Sequence, residues 1–162
     1  MDGTAPVYDL SGYRKAVAGI DIVEDPQLVR LKSRDFFWYS PILKAELNRK
    51  SADLVVVPKD QDEALRAIGA CAQFRIPLVV RGGGTGNYGQ LVPLKGGILL
   101  DTAKLDRTLF VKPGAGRFEA GANLVEIDRQ ARAIGWEMRM HPSTKRMSAI
   151  GGFVAGGAAG VG

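Results

Sequence analysis

Short apolar runs alternate with helix-spaced apolar positions from residue 54 onwards. Leu54 to Val57 is an apolar run ended by Pro58, which is typical of a buried strand. Asp60 and Glu63 then begin a capped helix. Its apolar positions recur at helical spacing: Ala64, Leu65, Ile68, Cys71 and Ala72. Residues 77–81 form a second apolar run, so the pattern predicts a βαβ unit with parallel strands and a right-handed crossover.

The pattern becomes more mixed after residue 90. It predicts a strand at 97–101, hairpin arms at 108–112 and 117–120 joined by 113–116, a helix from Asn123 to Ile134 with a capping box at Asn123 and Glu126, and a strand at 136–140. Because helices and strands are mixed in this way, we expect an α+β (α/β) fold. A βαβ subdomain would be followed by a mixed-strand subdomain with helices.

Residues 1–51 read as a helical lead ahead of a domain at 52–162. Helices are predicted at 26–32 and 41–50, each beginning with proline. Between them lies the aromatic run Phe36 to Tyr39. We interpret this run as a wedge that packs the lead on the domain, since aromatic side chains dominate packing energetics. The alternative is a contact with a partner or with a missing part of the chain.

Composition and charge exclude few classes of function. The net charge of +5 favours an anionic partner, but the basic residues are scattered along the 162 residues, so we expect no nucleic acid. No apolar stretch is long enough for a membrane span, and the N-terminus does not resemble a signal peptide. The single cysteine, Cys71, suits a helix core and a reducing compartment. These observations predict a cytoplasmic protein.

Glycine is the informative residue type, because most of its 21 copies fall after residue 80, where they form two dense clusters. The first cluster follows a predicted strand directly and reads Arg81, Gly82, Gly83, Gly84, Thr85, Gly86, Asn87, Tyr88, Gly89, Gln90. Glycines let several backbone N–H groups converge on a ligand without obstruction by a Cβ atom. Such a run therefore predicts a diphosphate-binding loop.

Residues 84–89 also satisfy the pattern G-x-G-x-x-G, and Asp101 ends the next strand. This combination suggests an NAD-binding Rossmann domain as an alternative. That fold requires the glycines to open a helix, whereas residues 90–97 are too short and too broken by proline and glycine to form one.

The two glycine motifs, taken together, resemble the FAD-binding domain of vanillyl-alcohol-oxidase-type flavoproteins. The first motif reads Pro-Leu-Val-Val-Arg-Gly-Gly-Gly-Thr-Gly at 77–86, and the second reads Ala-Ile-Gly-Gly-Phe-Val-Ala-Gly-Gly at 149–157. Within that family the chain is most similar to the branch that contains glycolate oxidase and D-lactate dehydrogenase. The resemblance implies an FAD cleft between the two subdomains, with the domain incomplete at its C-terminus.

The resemblance also implies roles for individual residues. Residues 82–86 would cradle the FAD diphosphate, with Asn87 to Gln90 beside it. A second wall of the cleft would comprise His141, Pro142, Ser143, Ser148, Ala149, Ile150, Gly151, Gly152, Val154 and Ala155. Some relatives bind FAD covalently through a histidine at the position of Thr85, and threonine cannot form that link, so binding here should be non-covalent. Ala149 stands where the family usually has Ser or Thr, which puts one phosphate contact in doubt.

The implied activity is hydride transfer from a small 2-hydroxy acid, such as glycolate, D-lactate or D-2-hydroxyglutarate, to flavin N5. The electron acceptor would be oxygen, a quinone or a partner subunit. His141, the only histidine, reads as a structural residue, and no catalytic residue is identifiable. We expect the chain to lack a substrate domain and to be inactive alone. A non-catalytic nucleotide-binding module is the other alternative.

Overall fold

A computed structural model describes residues 8–158 of the chain. The end of the second glycine cluster, residues 159–162, lies outside the described residues, as does the N-terminus up to residue 7. The described chain divides into two compact units. The first contains residues 8–80 and 86–101, and the second contains residues 81–85 and 102–158.

The first unit is built on a four-stranded mixed sheet. Its elements are α1 Leu10–Ala16, β1 Asp21–Val23, α2 Pro26–Lys32, a 3-10 turn Phe37–Tyr39, α3 Pro41–Leu47, β2 Leu54–Val57, α4 Gln61–Phe74, β3 Leu78–Arg81 and β4 Ile98–Asp101. The strand order is β1-β2-β4-β3. Strands β2 and β4 are parallel, and β1 runs antiparallel to β2. The predicted β2-α4-β3 unit exists, but β4 is inserted between its two strands.

The core of the first unit lies on both faces of β2 and β4. Every residue of these two strands is buried, and each Val, Leu or Ile side chain so buried contributes about 1.5–3 kcal/mol. By contrast β3 is at the sheet edge and Val80 is 52% exposed, so the second apolar run forms a strand that is not buried as its sequence suggests.

Helix α4 begins as predicted but packs through a different face. The Asp60 side chain accepts from the Glu63 amide at 2.8 Å, and Glu63 accepts from the Lys59 amide at 3.0 Å. Leu65 and Ile68, which the pattern placed in the core, are exposed. The buried positions are Glu63 in the first turn and the small residues Ala64, Ala67, Ala70 and Cys71. Small side chains let the helix lie close to the sheet, and Cys71 is a core residue as predicted.

The aromatic run divides between core and surface. Phe37 is fully buried, whereas Trp38 and Tyr39 are exposed and stack on each other with ring centroids 4.0 Å apart. Phe37 is thus a core residue and Phe36 is half-buried, while the interpretation of the run as a wedge against the domain stays a prediction.

The second unit contains a two-stranded antiparallel sheet and two helices. Its elements are β5 Thr108–Lys112, β6 Ala115–Phe118, α5 Leu124–Arg132 and α6 Ile150–Ala155. The hairpin forms as predicted, but its second arm begins at Ala115, two residues earlier, because the turn needs only Pro113 and Gly114. A small core of Ala122, Leu124 and Ile127 is covered by apolar side chains from both ends of the unit.

Two sequence predictions for this unit were wrong. Residues 136–140 form no strand. The Trp136 amide instead closes the end of α5 on the carbonyl of Ala131, and the Met138 amide donates to Asp128 at 3.1 Å. Asn123 caps α5 as expected, but Glu126 bonds to Arg129 and Gln130 rather than back to the cap, so the capping box is half formed.

The described chain thus combines helices with a four-stranded mixed sheet and a separate antiparallel hairpin. This combination confirms the α+β class. Among residues 8–158 no helix has the length and apolar character needed to cross a membrane.

Candidate cofactor-binding site

The first glycine cluster is an irregular loop in which backbone N–H groups remain uncommitted. Residues 82–97 contain no helix, and Gly84 and Gly89 adopt the left-handed conformation with φ of 67° and 79°. No acceptor among residues 8–158 bonds to the amides of the six consecutive residues Gly82 to Asn87. Residues 82–86 are half-buried and Asn87 is exposed, so these amides are open to an acceptor from outside the chain, and an anion can supply one.

Arg81 lies directly against this loop. A Cβ atom at Gly84 would overlap the Arg81 guanidinium group, so that group covers the Gly84 backbone. A guanidinium beside a run of such amides gives the loop a positive field. That combination of charge and donors suits a phosphate or diphosphate group.

The start of the loop packs directly on the segment that precedes α6, within the second unit. A Cβ atom at Gly83 would overlap the carbonyl oxygen of Met147 and would lie 3.1 Å from Cα of Ser148. At Gly82 it would lie 3.3 Å from the Cβ of Ala149. The two glycine motifs therefore meet backbone to backbone, and only glycine permits the approach at Gly83.

A cavity of about 190 Å³ opens at this junction. It is lined by Gly82, Gly83, Thr102, Ala103, Gly121, Asn123, Met147, Ser148 and Ala149. Pockets that enclose a whole drug-sized ligand measure about 300–1,000 Å³, so this one suits part of a dinucleotide.

Three hydroxyl groups form a connected cluster at the same junction. Thr85 Oγ1 lies 3.0 Å from Ser148 Oγ, which lies 2.9 Å from Thr144 Oγ1. Ser148 also donates to the carbonyl of Thr144 at 3.0 Å. Each hydroxyl can donate or accept, so the cluster can turn a donor toward an anion without leaving a buried oxygen unpaired.

The second glycine cluster uses its first amides differently. Ile150 donates to the carbonyl of Ala122 at 2.9 Å and Gly151 to that of Ala120 at 2.8 Å. A Cβ atom at Gly151 would lie 2.7 Å from the Cβ of Ala120. These bonds fix the start of α6 to the stretch of chain that precedes α5.

A buried ion pair anchors the chain leading into this segment. Asp128 on α5 accepts from Lys145 Nζ at 2.7 Å and from Arg132 at 2.8 Å. The hydrogen bond from Lys145 holds the pKa of the Asp128 carboxyl well below its usual range. The charge pair therefore stabilises the turn at 143–147, which carries Met147 to its contact with Gly83.

Four of the residues predicted for the cofactor site line the cavity together: Gly82, Gly83, Ser148 and Ala149. Residues 86–90 belong to the first unit. His141 and Pro142 are half-buried, Ser143 is exposed, and Val154 and Ala155 lie on the exposed side of the short helix α6.

Several lining residues were missed by sequence reasoning. Thr102 follows β4 directly, and its hydroxyl donates to the Arg81 carbonyl at 3.1 Å. A Cβ atom at Gly121 would overlap the Thr102 carbonyl, so this glycine also serves a close approach. Asn123 was recognised only as a helix cap, yet its Nδ2 also donates to the Arg146 carbonyl at 2.9 Å. The only sequence signal for these missed residues was Gly121, an isolated glycine between the two glycine clusters.

The NAD alternative fails on two observations. Residues 90–97 contain no helix, which a Rossmann domain would place immediately after Gly89. Asp101, the candidate ribose ligand, is 2% exposed and accepts from Lys32 at 2.6 Å. Its carboxylate is therefore a buried structural charge.

Comparison with known proteins identifies the ligand class. The family model described as FAD binding domain matches residues 52–162. The glycolate oxidase subunit GlcD of Escherichia coli strain K12 is 29% identical over 168 residues, covering 99% of this chain and 32% of that protein. D-lactate dehydrogenase of Archaeoglobus fulgidus is 31% identical over 109 residues, covering 67% of this chain and 24% of that protein.

The fold recurs in solved structures of more distant proteins. Alkyldihydroxyacetonephosphate synthase aligns with a TM-score of 0.80 at 16% identity, covering 97% of this chain and 31% of that one. This chain thus spans between about a quarter and a third of the length of these three proteins. The matches confirm FAD as the cofactor and confirm the resemblance read from the two glycine motifs.

Proposed function

The chain belongs to the FAD binding domain family, among flavin oxidoreductases related to glycolate oxidase and D-lactate dehydrogenase, and we propose that it holds FAD for oxidation of a small 2-hydroxy acid. Glycolate and D-lactate, the molecules in the names of the relatives, are both 2-hydroxy acids. Their shared group, an alcohol carbon next to a carboxylate, defines the substrate class proposed here.

The observation that carries the proposal is the run of amides from Gly82 to Asn87, which have no acceptor within residues 8–158 and lie beside Arg81. A diphosphate carries two charges and many acceptor oxygens, so it needs several donors at once. Here the donors are backbone groups in a fixed loop, and little side-chain entropy is lost when they bind. In this assignment Gly82, Gly83, Gly84, Thr85 and Gly86 cradle the diphosphate, and Asn87 to Gln90 lie beside it.

The second wall of the site would come from the segment around Ser148. The Thr85–Ser148–Thr144 hydroxyl cluster reaches the cavity through Ser148. Ser148 supplies a hydroxyl next to Ala149, where the family usually carries one. We assign Ile150, Gly151, Gly152, Val154 and Ala155 to the same wall, and His141, Pro142 and Ser143 to its far end.

A bound flavin would supply the redox chemistry, as the acceptor of a hydride from the alcohol carbon of the substrate. The residues of this chain bind and orient the cofactor. We assign no catalytic base within the chain and expect it to turn over no substrate by itself. Thr85 has no nucleophilic ring nitrogen, so we expect the FAD to be bound non-covalently.

We propose a cytoplasmic location, based on a single buried thiol, Cys71. The electron acceptor would be a quinone, oxygen or a partner subunit, since one matched relative is named as the subunit of an oxidase.

The test is flavin retention. The purified chain is incubated with FAD, desalted and examined by absorbance, then precipitated with acid. We expect retained yellow colour that acid releases into the supernatant. The same experiment is run on a chimera in which the matched part of E. coli GlcD is replaced by this chain. A folded chimera that retains no flavin would contradict the proposal, and colour that stays in the pellet would contradict non-covalent binding.

A matched pair of variants tests the loop itself. Arg81→Gln removes the charge beside Gly84 and should weaken FAD binding about threefold to tenfold, more at low salt than at high salt. Arg66→Gln removes an exposed charge on α4 and should leave the affinity unchanged.

The binding-module alternative predicts a different result. It would be favoured if the chain binds FAD and activity returns only when a separate C-terminal chain is added.

A further inference from the structure

Asp35 is a buried carboxylate in the part of the chain ahead of the family-matched region. It lies between α2 and the 3-10 turn at 37–39, is 4% exposed, and precedes residue 52, where the family match begins. No sequence pattern singles it out, because it stands beside the aromatic run without a recognisable spacing to any partner.

The bonds of Asp35 lead to the second half of the first glycine loop. Its Oδ2 accepts from the Gly89 amide at 3.0 Å, and its Oδ1 accepts from the Phe37 amide at 2.9 Å. The neighbouring Phe36 amide donates to the Gly86 carbonyl at 2.7 Å. Gly86 and Gly89, which bracket this half of the loop, are therefore both tied to the segment at 35–37.

A second contact from the same region fixes Gly89. A Cβ atom at Gly89 would overlap Cδ1 of Leu47 at the end of α3. The left-handed backbone of Gly89 is thus held between a carboxylate and an apolar side chain. Both groups lie within residues 35–47, which the family model does not include.

A carboxylate is well suited to hold this loop. It has two oxygens that only accept, so each can bind an N–H group from a different segment without a competing donor. Burying a charge costs free energy, and burial accordingly raises the pKa of Asp35 above its usual value, an increase that the bonded amides of Phe37, Gly89 and Gln90 only partly offset.

We propose that Asp35 is a positioning residue for the cofactor, holding residues 86–90 in the conformation in which the glycine loop binds FAD. This inference rests on the proposed function, since it assumes that the loop is the diphosphate site. It extends the cofactor site into the N-terminal segment. Loss of Asp35 should release Gly89 and loosen the loop without unfolding the β2–β4 core.

The experiment compares Asp35→Asn with Asp53→Asn in the full chain. Asp53 is the matched control because it too accepts from a glycine amide, that of Gly97 at 2.6 Å, at the opposite end of the 82–97 loop. Asn keeps one acceptor oxygen and presents an NH₂ group to the other amide. Asp35→Glu, which keeps the charge but moves the carboxylate by one methylene, is the second variant. Three quantities are measured: FAD affinity by flavin fluorescence, amide hydrogen exchange of residues 86–90, and the urea midpoint.

We expect Asp35→Asn and Asp35→Glu to weaken FAD binding about tenfold, the equivalent of losing one hydrogen bond to a charged group. Exchange at Gly89 should accelerate by a similar factor in the absence of FAD. Asp53→Asn should change neither quantity, although its urea midpoint should fall.

Wild-type binding is established first, in the chain and in the GlcD chimera. If neither binds FAD, the proposed function fails, and the exchange rates alone then decide whether Asp35 holds the loop. If wild type binds and Asp35→Asn binds equally well, or if Gly89 exchange is unchanged, the inference is overturned. An equal loss of affinity in Asp35→Asn and Asp53→Asn would also overturn it, since the effect would then be one of general stability.

Discussion

The two glycine-rich segments of this protein differ in what their backbone amides bond to. In the first, the amides from Gly82 to Asn87 have no acceptor within residues 8–158. In the second, Ile150 and Gly151 donate to carbonyls of the chain just ahead of α5. The first segment is thus rich in unused donors, and the second is bound into its own unit.

This difference separates two reasons for a glycine. At Gly83 and Gly151 glycine permits a close approach between backbones, because a Cβ atom would meet Met147 or Ala120. Gly84 and Gly86 instead lie in the stretch whose amides have no acceptor within residues 8–158, so the donors there are left for a ligand. The glycine-rich sequence therefore contains some glycines that are needed for packing and others that are needed for the binding loop. Substitutions at single glycines can distinguish the two roles.

The largest effect should come from Gly83→Ala. The new Cβ would overlap the Met147 carbonyl, so backbone must move, and we expect a loss of about 3 kcal/mol in the free energy of unfolding. Urea denaturation followed by tryptophan fluorescence measures it. Gly69→Ala on α4 is the control: nothing lies within 4 Å of its Cβ, and it should gain about 0.5–1 kcal/mol. Equal effects of the two substitutions would contradict the close approach.

Asp128→Asn should cost about 2 kcal/mol, because Lys145 and Arg132 lose their charged acceptor. The pKa of Asp128 is lowered in the folded protein, so its contribution is present above its usual value of 3.8 and is lost as the pH falls through the lower, folded value. The wild-type urea midpoint should fall more steeply than that of the variant below about pH 4. Parallel curves would show that the charge pair does not anchor the turn at 143–147.

Ser148→Ala should cost about 1–2 kcal/mol, since it leaves the hydroxyls of Thr85 and Thr144 without their shared partner. Ser143→Ala, at an exposed position in the same turn, should be neutral within about 0.5 kcal/mol. If Ser148→Ala and Ser143→Ala change the thermal midpoint equally, the hydroxyl cluster does not join the two motifs.

The smallest effect should come from Gly152→Ala. Nothing lies within 4 Å of the Cβ position at Gly152, and the residue is in α6, so alanine should stabilise by about 0.3 kcal/mol. Gly151→Ala, one residue earlier, should instead destabilise, because its Cβ would lie 2.7 Å from that of Ala120. Calorimetric midpoints that move in the same direction would contradict this distinction within the second segment.

Features coded by local sequence were predictable. The apolar run Leu54 to Val57 ended by proline is a strand, and the prolines at 26 and 41 begin helices. The absence of a helix in residues 90–97 followed from the short, proline-broken stretch itself. These features depend on neighbours a few residues away.

Features set by distant partners were not predictable. Strand β1 has only three residues and forms by pairing with β2. Strand β4 lies between β2 and β3, a position that depends on pairing between strands far apart in the sequence. Residues 136–140 alternate like a strand but pair with none of the strands within residues 8–158. Asp35 bonds to an amide 54 residues away, a distance at which composition and spacing carry no signal.

The most direct test is an amide NMR titration of the ¹⁵N-labelled chain with FAD. The account predicts large shifts at Gly82 to Asn87, as these amides gain acceptors, and small shifts at Ile150 and Gly151, whose amides are already bonded. Flavin binding that leaves residues 82–87 unshifted, or that moves the second segment more than the first, would contradict it.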